Sequence, residues 1–479
     1  MRVHRFVARS RIRASAAETF RWHERPGALE RLTPPWDRVE VLARTGGIRD
    51  GGRVVLHVPA GPIRFRWVAE HTDYDEDRRF VDRQIEGPFS HWIHEHRFEP
   101  DGDAACFLVD RIEFALPGWL AGELAGLGAA RERLTRMFAW RHEITAADLD
   151  RHAAARARGP LRIAVSGATG LLGSALRAFL TTGGHAVFRL VRPRPVPAVD
   201  DIPWDPAAGR LEAARLEGLD AVVHLAGENI GSGRWTKARV ERIRASRVAP
   251  TRLLARTLAG LKSPPRVLVC ASAVGWYGDR GDEVLDESSG PGDGFLAEVC
   301  RQWEAAAAPA TERGIRVVHL RFGVVLTAAG GALARMLPAF RLGAGGPVGS
   351  GRQVLSWVGL DDVLGAIHFA IGREDLAGPV NVTSPEPVTS AEMARTLGKV
   401  LRRPAGMPLP AAVVRLLFGE MGRSLLLDGQ RVLPRKLLGA GFCFRHPSLE
   451  AALRFELGRL DRPPEGVDLR FGAESGNPG

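Results

Sequence analysis

From Leu161 onward, short apolar runs alternate with longer stretches of mixed apolar and charged residues. Leu161–Ser166, His185–Val191, Ala221–Leu225, Arg266–Ala271 and Arg316–Arg321 are mostly apolar. Strands that are apolar on both faces and separated by helical stretches predict βαβ units and a parallel sheet. Before Leu161 the pattern differs. Val54–Val58, Arg64–Ala69, Trp92–Phe98 and Ala105–Phe114 are rich in β-branched or aromatic residues. Gly51-Gly52, Gly61-Pro62 and Asp101-Gly102 divide them, as turns divide antiparallel strands. Leu127 to Ile144 then carries Leu127, Leu134, Met137 and Phe138 at helical spacing. A sheet closed by a long helix makes one α+β domain over residues 1–149. The small, basic segment Asp150–Pro160 ends in Gly-Pro and reads as a linker. A parallel-sheet domain over residues 161–404 follows, then a small helical domain over 405–460. The polar stretch 461–479 is expected to fray.

Composition narrows the function classes. The chain has 479 residues, 45% hydrophobic and 25% charged, an ordinary globular balance for several domains. No apolar run approaches the roughly 18 residues of a membrane helix, and the N-terminus lacks the apolar core of a secretory signal. The four cysteines (Cys106, Cys270, Cys300, Cys443) lie far apart. This excludes a disulfide scaffold and fits a reducing, cytoplasmic location. The net charge is +11, but only Lys237, Lys262, Lys399 and Lys436 are lysine. The excess is arginine scattered among acids, so we expect a solvated surface and no nucleic-acid face.

The sharpest motif joins Leu161–Ser166 to Gly167-Ala168-Thr169-Gly170-Leu171-Leu172-Gly173 and a following helix. Glycines at this spacing, after a strand and before a helix, let a diphosphate approach backbone N–H groups at a helix N-terminus. Thr169, Leu171 and Leu172 share that loop. Leu225, Ala226 and Gly227 end a later strand and belong to the same expected cofactor surface. NAD sites usually carry an acid about 20 residues on. Here the second strand ends in Arg189-Leu190-Val191-Arg192-Pro193-Arg194. Arg192 stands where a 2′-phosphate would be paired, which favours NADP(H) over NAD(H).

With these motifs in hand, the chain resembles the extended, atypical short-chain dehydrogenase/reductases of the epimerase type. AVVHLAGENI (Ala221–Ile230), GRWTKARVERIRASR (Gly233–Arg247), VLVCASAVGWYGD (Val267–Asp279), VVHLRFGVVL (Val317–Leu326) and GSGRQVLSWVGLDDV (Gly349–Val363) carry the resemblance. Residues 408–453 are similar to the small C-terminal domain of unknown function found in one subgroup. The first domain resembles, more weakly, the START-like or polyketide-cyclase-like helix-grip superfamily. That resemblance implies a sheet curled around a helix over an apolar cavity, which Phe20, Trp22, Trp67, Phe89, Trp92, Phe98, Phe107, Phe114 and Phe138 either line or fill as core. The implied fold class is therefore α/β: a Rossmann-type doubly wound sheet, preceded by a helix-grip domain and followed by a mostly helical appendage.

The resemblance also implies a Tyr-x-x-x-Lys pair, the superfamily's general acid/base and its partner. The chain has two tyrosines, Tyr74 and Tyr277, followed at i+4 by Arg78 and Gly281, so the pair is absent. The helix that should carry it aligns with Asp293–Glu304, where Phe295 or Leu296 and Val299 or Cys300 stand instead. These side chains cannot shuttle a proton. Ser272 remains, expected at a strand end beside the cofactor, and Tyr277 offers a second hydroxyl. Arg234, Trp235, Arg352, Gln353, Ser356 and Trp357 match family segments on the substrate side. Asp362 is either part of that segment or the N-cap of a helix over Val363–Ile371. His224 reads as a satisfied core histidine. His94 and His96 share a strand face, but no carboxylate spacing supports a metal, so none is expected.

Two functions follow. One is an NADP(H)-dependent oxidoreductase or epimerase-like enzyme on a small carbonyl or apolar substrate, with Ser272 polarising the carbonyl and Tyr277 or water relaying the proton. The other is an NADPH sensor whose first domain holds a hydrophobic ligand. Relatives of this fold often form dimers, but no patch in the sequence singles out an interface.

Overall fold

Alternate residues of one strand, Trp92, His94, His96 and Phe98, are buried while those between them are partly exposed. This period of two sets one face of an antiparallel sheet against the protein interior. The structure is a computed structural model that describes residues 2–60, 63–117, 123–193, 198–460 and 466–473. The chain forms two units. One comprises Met1–Arg156, Thr181–Gly184 and Leu457–Gly479, the other Ala157–Leu180 and His185–Glu456. Among the described residues, no helix is long and apolar enough to cross a membrane.

The first unit runs β1 (His4–Ile12), α1 (Ala16–Glu24), β2 (Glu40–Thr45), β3 (Arg53–Ala60), β4 (Ile63–Asp75), β5 (Arg79–Glu86), β6 (His91–Pro100), β7 (Cys106–Ala115) and α2 (Glu123–Ala155). Its sheet has the order β2-β3-β4-β5-β6-β7-β1, and a C-terminal strand, Val467–Ala473, pairs antiparallel with β1. Two apolar clusters fill the inner face. Phe20, Trp22, Phe80, Phe98 and Leu108 form one. Phe6, Trp92, Ile112, Phe114 and Phe138 form the other.

Several expectations change here. The segment read as a linker continues α2 to Ala155 and adds a turn at Arg156–Arg158. No helix breaker precedes Gly159, and alanine and arginine favour helix. The stretch expected to fray contains the Val467–Ala473 strand; residues 461–465 and 474–479 lie outside the described residues, as does the Gly61-Pro62 turn. The aromatic residues mostly fill the interior. Phe107 points to the opposite face of the sheet, where the Arg9 guanidinium covers its ring at 3.4 Å. A small, partly open gap beneath α2, lined among others by His23, His96, Asp110, His142 and Thr145, measures about 10 Å³. That gap has room for about one water.

The second unit runs β8 (Arg162–Ser166), α3 (Leu171–Thr182), β9 (Ala186–Val191), β10 (Asp201–Asp205), β11 (Arg210–Leu211), β12 (Ala221–His224), α4 (Lys237–Ala259), β13 (Val267–Ala273), α5 (Phe295–Ala305), β14 (Arg316–Phe322), α6 (Leu360–Gly372) and β15 (Gly378–Val382). The sheet order is β11-β10-β9-β8-β12-β13-β14-β15. All pairs are parallel except β10 with β11. Chain direction across the sheet reverses between β8 and β12, the switch point where such sheets bind ligands. Helices cover both faces. Leu176 and Phe179 of α3 pack with α6 on one face, and Leu254 and Leu258 of α4 pack on the other.

Candidate functional site

The glycine loop sits at that switch point. Gly167 follows β8 with φ of +67°, and a Cβ there would lie 2.9 Å from the carbonyl of Leu225. Glycine is required on both counts. Gly170 N–H donates to Gly167 O at 2.9 Å, closing the turn. A Cβ on Gly173 would stand 2.2 Å from Gly167 O, so α3 can begin against the loop only with glycine there. Thr169, Gly170 and Leu171 are exposed and Leu172 half-buried. The first N–H groups of α3 lack intrahelical partners and carry the helix's partial positive charge. A cradle free of side chains at a helix N-terminus fits a diphosphate.

The opposite wall is fixed from below. Ser166 Oγ accepts from the N–H groups of Leu225 (3.1 Å) and Ala226 (3.3 Å) and bonds to His224 Nδ1 at 2.7 Å. His224 Nε2 lies 2.9 Å from Thr251 Oγ1. Burial pushes the His224 pKa down to about 4, so the ring is neutral and structural, as its apolar strand suggests. Arg247 donates to Glu228 O at 3.0 Å and closes the turn after Gly227. Arg192 is exposed just beyond β9. Arg189 is committed to Asp201 at 2.6 Å, and Arg194 lies outside the described residues. The carboxyl ends of β8, β9 and β12 thus bring the glycine loop, Arg192 and residues 225–227 to one edge of the sheet.

Ser272 and Tyr277 enter a buried network that the sequence does not announce. Ser272 is the last residue but one of β13, and its hydroxyl donates to Glu304 Oε1 of α5 at 2.7 Å. Arg321 of β14 clamps Glu304 with two bonds of 2.8 and 2.9 Å. Arg321 also reaches Tyr277 Oη at 3.1 Å and stacks over Trp276 at 3.9 Å. The Tyr277 hydroxyl lies 2.9 Å from Asp286 O and 2.8 Å from Asn381 Oδ1. Tyr277 is fully buried, and burial pushes its phenol above the ordinary value. A phenol so enclosed is held by Arg321, Asn381 and the Asp286 carbonyl, and its burial opposes ionisation. Tyr277→Phe is expected to cost about 1–3 kcal/mol, the usual penalty for orphaned buried partners. Nucleotide affinity should stay within about two-fold. Equilibrium denaturation beside a nucleotide titration separates the two readouts.

The substrate-side candidates divide similarly. Gln353 Nε2 donates to Val348 O (2.9 Å) and Leu426 O (2.8 Å). Ser356 Oγ donates to Gln430 O at 2.7 Å and accepts from Val432 N–H at 2.9 Å. Buried Trp357 donates to Glu386 O at 3.0 Å. These three tie the chain to itself. Arg234 donates to the carbonyls of Leu416 and Leu417 near the end of helix Ala411–Gly422. Asp362 is not an N-cap: it lies within α6, and its carboxylate accepts from the N–H groups of Arg445 (2.8 Å) and His446 (3.3 Å). Arg352 is exposed. Half-buried Trp235 meets Phe295 edge-on at 5.1 Å. Phe295 opens α5, the helix on which the sequence carries Phe295 or Leu296 and Val299 or Cys300 in place of a Tyr-x-x-x-Lys pair.

Comparison with known proteins agrees with this architecture. Residues 163–382 match the NAD dependent epimerase/dehydratase family. Residues 12–141 match the polyketide cyclase/dehydrase and lipid transport family, and 409–456 a domain of unknown function. An epimerase family protein of Mycobacterium bovis is 44% identical over 297 residues, 62% of this chain and 98% of that protein. Human epimerase family protein SDR39U1 is 39% identical over 297 residues, 61% of this chain and 99% of that protein. A crystal structure named as the nucleoside-diphosphate sugar epimerase from Corynebacterium glutamicum superposes with a TM-score of 0.77 at 35% identity. The match covers 94% of this chain and 90% of that one. The human SDR39U1 structure with NADPH gives 0.57 at 38% identity, over 61% and 98%.

Proposed function

The chain belongs to the epimerase family, and from that premise we propose that its second unit is an NADP(H)-dependent oxidoreductase or epimerase-like catalyst acting on a small carbonyl substrate in the cytosol. The glycine cradle at the switch point carries this reading. Residues 167–173 would hold the diphosphate on backbone N–H groups and the N-terminus of α3. Residues 225–227 would form the opposite wall, and Arg192 would pair with the ribose 2′-phosphate. The human relative solved with NADPH supports the same cofactor here. When bound, the nicotinamide supplies a hydride.

The chain's own residues then orient and enclose. The hydroxyls of Ser272 and Tyr277 are engaged by Glu304 and Asn381, so both act as positioning residues, and water at the open sheet edge delivers the proton. Trp235 and Arg352 flank the substrate. Free cysteines, Cys443 among them exposed, support a reducing compartment.

A titration with NADPH and, separately, NADH tests the cofactor. NADPH should bind at least about ten-fold more tightly. Arg192→Ala should remove that preference, worth about 1.4 kcal/mol, by weakening NADPH alone. Equal affinities in both proteins would overturn the assignment of Arg192.

A further inference from the structure

Between the two apolar clusters of the first unit lies a polar group that the nucleotide chemistry does not use. Strand register builds it. Asp82 of β5 stands opposite His94 of β6, and His96 stands opposite Asp110 of β7. The carboxylates that the linear spacing does not supply thus come from the neighbouring strands. Asp82 Oδ2 lies 3.0 Å from His94 Nδ1 and 3.5 Å from His96 Nε2. These three atoms sit within 4.8 Å of one another. Ligands bonded to one ion at about 2.0–2.2 Å are separated by roughly 3.0–3.5 Å. The far nitrogens of both rings face the second carboxylate: Asp110 Oδ1 lies 2.9 Å from His94 Nε2 and 2.6 Å from His96 Nδ1. Asp110 Oδ2 is held in turn by His142 Nε2 at 2.6 Å, and His142 Nδ1 by Ser10 Oγ at 2.6 Å.

We propose that Asp82, His94 and His96 form a binding site for a divalent transition metal, with Asp110 as the outer carboxylate that orients both imidazoles. Two histidines and one carboxylate with open positions are a set that takes iron(II) or zinc. A carboxylate behind each ligating ring is the usual outer partner of a metal-bound histidine. Two carboxylates also balance a divalent charge in an interior where an unpaired charge is costly. His94, His96 and Asp110 are buried, while the Asp82 side chain keeps 18% exposure and gives an ion its way in.

The test loads the metal-stripped full chain with Co²⁺ and follows its visible d–d bands, with metal content counted by mass spectrometry. About one equivalent is expected. Asp82→Ala and the double variant His94→Ala/His96→Ala should lose the bands. Asp110→Asn should bind about 10–100-fold more weakly, the usual effect of removing an outer partner. Circular dichroism shows whether each variant is folded. X-ray absorption of the Zn²⁺-loaded parent protein needs no variant and should count two imidazoles per ion. Fewer than two, sub-stoichiometric Co²⁺ in the parent, or unchanged binding in the folded double variant would overturn the site.

Discussion

Glu304→Ala is expected to destabilise the second unit by about 3–5 kcal/mol, the usual result of breaking one side of a buried ion pair. The side chains of Arg321 and Glu304 are 3% and 10% exposed, so water cannot replace the lost carboxylate. Arg321 would keep its charge among Trp276, Tyr277 and β14, and Ser272 would lose its acceptor. Replacing both partners, Glu304→Leu with Arg321→Met, removes the stranded charge and should recover much of the loss. Denaturant midpoints of the parent, Glu304→Leu alone, Arg321→Met alone and the double variant form a complete cycle. Additive single losses would show that the pair does not act as a unit.

Gly173→Ala should weaken NADPH binding about 100-fold or more, near 2.7 kcal/mol. Its new methyl would fall 2.2 Å from Gly167 O and 2.8 Å from Ala168 Cα, all backbone, so α3 must lift away from the loop it supports. Gly170→Ala makes an informative companion. Only Gly167 O lies near its Cβ, at 3.3 Å, so the fold should tolerate it while the methyl enters the space the phosphates need. Thermal stability should therefore fall for Gly173→Ala and stay near the parent's for Gly170→Ala, with nucleotide affinity reduced in both. Parent-like NADPH affinity in Gly173→Ala would exclude the loop as the phosphate site.

The sequence discloses what is local. The strand–glycine–helix turn at residues 166–173 is contiguous, so its conformation is written in its own residue types. The shared face of His94 and His96 follows from the period of a strand. What the sequence conceals is pairing over distance. Tyr277 finds Arg321 and Asn381 at separations of 44 and 104 residues, and no spacing rule distinguishes such a hydroxyl from one facing a substrate. Gln353, Ser356 and Trp357 sit in a polar, aromatic segment that reads as a binding edge, yet carbonyls up to 74 residues away engage them. Asp82 and Asp110 flank His94 and His96 only because β5, β6 and β7 pair in one register. The inward residues of β1 include His4, Ala8 and Ser10, which blur the apolar alternation that marks a strand.

The pairing of Val467–Ala473 with β1 has a consequence for synthesis. A ribosome releases the N-terminal strands long before the partner that covers their outer edge. At the usual 5–20 residues per second, roughly 20–70 s separate β7 from that last strand. Throughout this interval β1 presents unpaired N–H and C=O groups, the kind of edge on which nascent chains associate wrongly. The alternating arginines Arg5, Arg9 and Arg11 along it then act as a temporary guard, since charge on an edge strand discourages a second chain from docking. The sheet of the first unit would thus be completed only after the second unit has been synthesised.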